Sequence, residues 1–168
     1  MASVGREFFE KTAYRHLGPS AQQRGAPRPP LCDTSSSFSR VVALPPPGRP
    51  SCDLVSAIAG RRSVRGYADR WISLEELSFL LWATQGVRDR TASATFRTVP
   101  SAGSRHCFET VLFARRVEGI DEGFYQFLAC EHCLGVLPGV KDGAQRLCDA
   151  CLGQEFLLSA GAVFLWVA

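Results

Sequence analysis

The chain is poor in the groups on which hydrolases and metalloenzymes depend. Only three of its 168 residues are histidine, and none stands in a His-Glu-x-x-His pair. No Gly-x-Ser-x-Gly elbow is present, so no nucleophile–base–acid set stands out. A Gly-x-Gly-x-x-Gly fingerprint is also missing, which argues against a dinucleotide cradle. The longest apolar run, 160–168, contains Gly161 and falls well short of a bilayer span. Residues 1–20 carry Glu7, Glu10 and Lys11 among aromatics and so lack a signal-peptide core. A net charge of +3 gives no case for nucleic acid. What these absences leave is a cytoplasmic globular protein with neither a membrane nor a nucleic-acid partner. Its 46% hydrophobic and 21% charged content are ordinary for that class, and its length fits one domain with a sizeable core.

Two short motifs carry the chemistry. Arg61-Arg62-Ser63-Val64-Arg65 packs three cations and a hydroxyl into five residues at the end of a short apolar helix. Guanidinium forks match phosphate oxygens bidentately, and the Ser hydroxyl adds a neutral donor. Downstream, Arg97-Thr98-Val99-Pro100-Ser101-Ala102-Gly103-Ser104-Arg105-His106 is a small-residue loop opening into a strand. Small residues allow backbone N–H groups to approach a flat ligand closely. The pair suits one task, gripping a phosphorylated ring cofactor.

Residues 18–52 are rich in Pro, Gly, Ser and Arg, so residues 1–52 read as an extended N-terminal arm or linker ahead of a domain over 53–168. Asp53 is expected to cap a helix that turns Leu54, Val55 and Ile58 inward and ends near Arg61–Arg62. Ser73 and Glu76 form a capping box for a helix carrying Leu74, Leu77, Leu80, Leu81 and Thr84, with Gly86 as its C′ stop. Trp82 on that helix reads as core, with reach to a cofactor as the alternative. Strands are expected over 108–114, 124–128 and 133–137, with His132 in the turn between the last two as a surface or strand-edge histidine and not a catalytic base. Asp142 should cap a helix running to about Phe156, and 163–167 suits a buried strand. Cys130-x-x-Cys133 and Cys148-x-x-Cys151 have the spacing of a four-thiolate zinc site, but the second pair falls within an amphipathic helix. The pairs therefore read as small apolar side chains, with a zinc module as the alternative. Cys32, Cys52 and Cys107 look incidental, and disulfides are not expected in a reducing cytosol.

The motifs resemble the nitroreductase superfamily of flavoproteins and, within it, the SagB-type dehydrogenases. The resemblance runs from about Phe8 to Ala168. It includes Phe8-Phe9-Glu10-Lys11-Thr12, Val41-Val42-Ala43-Leu44-Pro45, the Arg-Arg-Ser-x-Arg block, the 72–86 helix, Val99-Pro100-Ser101-Ala102-Gly103, Glu109, Gly123-Phe124-Tyr125, His132 and Leu152-Gly153-Gln154. It implies an α+β fold with a mostly antiparallel central sheet flanked by helices. It also implies FMN as cofactor, held by Arg61, Arg62, Ser63 and Arg65 at its phosphate and ribityl end. Pro100, Ser101, Ala102 and Gly103 would line the isoalloxazine. The family pattern further implies a homodimer with each flavin at the subunit interface. Family members continue past the strand that ends here at Ala168, so the resemblance makes 53–168 a partial flavin domain, incomplete at its C-terminus.

The resulting expectation is an FMN-dependent oxidoreductase acting on a small molecule or a modified peptide, azoline oxidation being one activity of the SagB-type group. A flavin would carry the redox chemistry, which fits the missing nucleophile set. No catalytic residue is assigned and no metal is expected; Glu109 is a candidate polar lining residue. The alternatives are a nitro or quinone reductase using NAD(P)H and a truncated, non-catalytic homologue.

Overall fold

The computed structural model describes residues 3–27 and 29–168; Met1, Ala2 and Arg28 of the expected arm lie outside the described residues. The chain divides into two compact units, residues 1–30 and 31–168. In the first, α1 (Val4–Lys11) starts at Ser3, whose side chain accepts the Arg6 N–H, and pairs Glu7 with Lys11 one turn on. None of its residues is buried.

The second unit contains β1 (Val41–Ala43), α2 (Leu54–Gly60), α3 (Leu74–Gln85), β2 (Val87–Arg90), β3 (Thr95–Arg97), β4 (Glu109–Ala114), β5 (Gly123–Leu128), β6 (Cys133–Val136), α4 (Gly143–Ala150) and β7 (Ala162–Val167). Five strands form one antiparallel sheet in the order β1-β6-β5-β4-β7, and β2 with β3 makes a separate hairpin. The fold is therefore α+β, an antiparallel sheet flanked by helices.

Strand alternation sorts the sheet into two apolar faces. Leu112 stands opposite Tyr125 and Phe164, and with Phe127 and Leu134 it meets Leu77 and Leu81 of α3. On the other face Phe113 opposes Phe124 with ring centroids 4.8 Å apart. There Gly143 lets α4 start close to the sheet: a Cβ would sit 3.0 Å from the Phe124 ring and 3.3 Å from that of Phe113.

The end of α3 shows why the hairpin sits where it does. Gly86 donates its N–H to the Trp82 carbonyl (2.7 Å), and a Cβ there would lie 2.5 Å from that oxygen. The glycine is thus required by close approach. Its φ of −62° is not the left-handed stop that the sequence suggests. Thr98 then ties the chain after β3 back to α3, donating from N to the Gly86 carbonyl and from Oγ1 to that of Trp82.

The α3 capping box is present as expected: Ser73 Oγ accepts the Glu76 N–H and Glu76 accepts the Ser73 N–H. Arg70 adds a two-pronged contact to the same carboxylate, 2.9 Å on each side. These bonds, Arg70 first and Ser73 next, pull the Glu76 pKa from 4.5 to about 2. A depressed carboxylate pKa contributes stability that is present above pH 4.5 and lost as the pH falls towards about 2. Glu76→Gln should therefore flatten the acid limb of the urea midpoint between those two pH values. An acid limb identical to that of the parent would refute the coupling.

Several expectations fail for identifiable reasons. Leu54, Val55 and Ile58 do not turn inward; they are 71%, 72% and 68% exposed, because among the described residues no element covers α2. The helix after Asp142 ends at Ala150, six residues earlier than Phe156, and a 3₁₀ turn over Glu155–Ser159 follows. Asp142 itself holds φ +55°, and its carbonyl, not its side chain, takes the Arg146 N–H. β7 lies at the sheet edge, so Val163–Leu165 are half-buried while Trp166 and Val167 are exposed. Within residues 31–52, β1 pairs with β6, and Phe38 packs over Gly135, where a Cβ would come within 2.5 Å of its ring.

The same segment overturns the reading of Cys32 and Cys130 as unpaired, since the two form a disulfide with Cα atoms 6.2 Å apart. The chain is brought there by polar ties to the β5–β6 hairpin. Ser35 N–H donates to Glu131 Oε2 (2.9 Å), and Gln126 Nε2 donates to Asp33 Oδ2 (2.8 Å). Cys133 and Cys148 are buried thiols whose pKa values burial pushes up. Among the described residues no group of three or more His, Cys, Asp or Glu is arranged to hold a metal.

Candidate functional site

The 99–108 loop is a shaped element rather than a loose connection. It closes a cavity of about 200 Å³ lined by Gln85, Val99, Pro100, Ser101, Ala102, His106, Cys107 and Phe108. Gly103, Ser104 and His106 all take positive φ, at +62°, +53° and +45°. The two non-glycine residues store strain of about 1–3 kcal/mol each. Ser101 holds the turn: its Oγ accepts the His106 N–H (2.8 Å), and its carbonyl accepts the Ser104 N–H (3.2 Å). Strain held in place this way keeps backbone polar groups at fixed positions around the cavity.

Beneath the loop lies a buried cation. Arg97, at the end of β3, is 8% exposed and donates through Nη1 to Gln85 Oε1 (3.2 Å), while its buried Nε has no hydrogen-bond partner. Burial lowers the Arg97 pKa and the Glu109 charge opposes that shift; the guanidinium remains charged. His106 Nε2 lies 3.1 Å from the Thr95 carbonyl, which can only accept, so Nε2 carries the proton. Burial first and Arg97 second lower the His106 pKa, with the Thr95 contact opposing them. The imidazole is thus neutral at pH 7 and donates inward.

The Arg61–Arg65 block is differently placed. α2 ends at Gly60, and Arg61 is its C-cap, donating its N–H to the Ile58 carbonyl (3.4 Å). Arg61, Arg62, Ser63 and Arg65 are exposed on irregular chain. Among the described residues no protein group pairs with the side chains of Arg61, Arg62 or Ser63. The Arg65 guanidinium stands 5.6 Å from the Phe156 ring centroid.

Of the eight anticipated site residues, Pro100, Ser101 and Ala102 share the 200 Å³ cavity, and Gly103 turns the chain beside it. None of the four from the arginine block lines that cavity. Gln85, Arg97 and His106 went unassigned in the sequence. One signal was available: Gln85 continues the Leu77, Leu81 spacing of α3, a polar side chain where the helix otherwise buries leucine.

Residues 58–168 match the family model described as "Nitroreductase family". That span covers both motifs and all the sheet except β1. Three proteins that carry the name "putative nitroreductase" are similar to this chain. One, from Methanocaldococcus jannaschii, is 35% identical over 115 residues, 68% of this chain and 56% of its own length. The crystal structure of another, from Ralstonia eutropha, superposes with a TM-score of 0.50 at 29% identity over 66% of this chain and 48% of that one. The third, from Anabaena variabilis, has a TM-score of 0.68 at 19% identity over 99% of this chain and 32% of its own, a likeness of fold alone. The chain thus spans about half the length of the curated relative it matches. On the family match across two motifs and four strands of the sheet, the chain belongs to the nitroreductase family.

Proposed function

We propose that this chain is an FMN-dependent oxidoreductase of the SagB-type dehydrogenase group, working as a homodimer in the cytoplasm with the flavin between subunits. The observation that carries the reading is a surplus of donors without acceptors. The block at 61–65 holds exposed guanidinium groups and a hydroxyl, and Arg97 keeps a buried, unpartnered Nε beneath the small-residue loop. A ligand with a phosphate and an acceptor-rich ring satisfies that set, so the residues present fit FMN.

In this reading Arg61, Arg62, Ser63 and Arg65 hold the phosphate and ribityl end, and Pro100, Ser101, Ala102 and Gly103 support the ring. Bound FMN supplies the hydride and electron chemistry. The protein orients it, keeps water from the ring with the apolar loop wall, and holds a fixed positive charge at Arg97. His106, neutral and committed to the Thr95 carbonyl, positions the loop and does not act as an acid.

The dimer explains the separation of the two motifs. A cavity of about 200 Å³ is below the usual range for a ligand of this size and represents part of a site. The exposed Leu54, Val55 and Ile58 of α2, together with the open edge of β7, are surfaces that an isologous partner would cover. Sedimentation velocity followed at the visible flavin band tests this: flavin should travel with a species of twice the chain mass. A folded, flavin-loaded monomer would contradict it. The relatives' names favour reduction of nitro compounds as the second reading within the same chemistry. A thiazoline-containing peptide that loses two hydrogens on incubation with the flavin-loaded protein would separate the SagB-type activity from it.

A further inference from the structure

A second cavity, of about 360 Å³, is lined by the whole of β2, by Trp82 of α3, by Pro47 and by the β5–β6 turn including His132. Its size falls in the range of small-molecule sites. No residue of the 61–65 block or of the 100–103 loop lines it.

Its polar groups have a definite character. In the hairpin, Val87 faces Arg97 but Asp89 faces Phe96, so Arg88 is an inserted residue. A bulge of this kind re-aims side chains, and here Arg88 and Arg90 line the cavity together. Neither guanidinium has an acceptor among the described residues. The one carboxylate present, Asp89, accepts the Arg90 N–H (2.7 Å).

His132 supplies the opposite polarity. Ser78 Oγ lies 2.6 Å from the Pro45 carbonyl and must donate to it. The hydroxyl oxygen therefore accepts from His132 Nε2 (2.7 Å), which also lies 3.2 Å from the same carbonyl. His132, at the edge of β6, is half-buried, with its proton on Nε2 and Nδ1 left as an acceptor. Burial lowers its pKa, the Pro45 carbonyl opposing, and the ring stays neutral. Trp82, only partly buried rather than core, provides an aromatic wall.

We propose that this cavity is a ligand site for a flat aromatic anion that carries a hydrogen-bond donor. The carboxylate meets the Arg88 and Arg90 guanidinium groups, the ring lies on the Trp82 indole, and the donor reaches His132 Nδ1. The site does not depend on the flavin reading.

The test is a titration of the 168-residue chain with 4-hydroxybenzoate, followed by tryptophan fluorescence and calorimetry. Saturable one-to-one binding is expected, at least tenfold weaker in Arg88→Ala/Arg90→Ala and severalfold weaker for phenol or for benzoate. Trp82→Phe should bind and lose most of the quench. Should the alanine pair melt early, Arg88→Lys/Arg90→Lys takes its place, with affinity between parent and alanine levels. Absence of saturation, equal affinity for phenol, or binding indifferent to both double variants would overturn the proposal. FMN affinity should be unchanged in the double variants, which keeps a failure here distinct from a failure of the flavin reading.

Discussion

Leu77→Ala should lower the unfolding free energy by about 2–5 kcal/mol, with a similar loss for Leu81→Ala. Both side chains are 0% exposed and stand one turn apart on α3, against Leu112, Phe127 and Leu134. Truncating either removes apolar area from the centre of the unit and leaves a cavity that sheet and helix cannot both collapse to fill. Leu80, on the same helix and 42% exposed, is the internal control. Leu80→Ala should change stability by only about 0.5 kcal/mol. Urea unfolding of the three variants checks this, and equal losses at positions 77, 80 and 81 would mean that the packing described is wrong.

Arg61→Ala or Arg65→Ala should weaken FMN binding by about 1.5–3 kcal/mol, or roughly ten- to a hundredfold. The exposed guanidinium groups have no acceptor among the described residues to surrender, so a phosphate contact would be mostly net gain. Among the described residues Arg65 leaves only a cation–π contact with Phe156. Ser63→Ala should cost less, since it removes a neutral donor, and Arg105→Ala, outside the clamp, least. Calorimetric titration of the four variants gives the order directly. A set in which Arg105→Ala costs as much as Arg61→Ala would point to general charge attraction and not to a clamp.

What the sequence made legible is local. The α3 capping box and its leucine spacing lie within a few residues of each other, and β4 and β5 declare themselves by β-branched and aromatic content. Asp53 is likewise a cap that structure and sequence agree on, its carboxylate 2.8 Å from the Ser56 N–H. The apolar residues of α2 signal a face that needs cover but carry no information on what covers it, and among the described residues nothing does. Pairing of Val41 with Gly135 spans 94 positions and leaves no mark in either segment. The hairpin was hidden because Arg88, Asp89 and Arg90 are poor strand formers whose register is set by the bulge and by Thr91, whose Oγ1 accepts the Ala94 N–H. Both motifs were legible as residue types. The buried Gln85–Arg97 pair behind one of them was not, because polar partners found in the fold lie 12 positions apart.

The most direct measurement is an FMN titration of the chain extended to the length of its relatives, read as quenching of flavin fluorescence. A yellow protein that takes up one FMN per chain and loses affinity on Arg65→Ala is expected. A folded protein that stays colourless and takes up no FMN would contradict it.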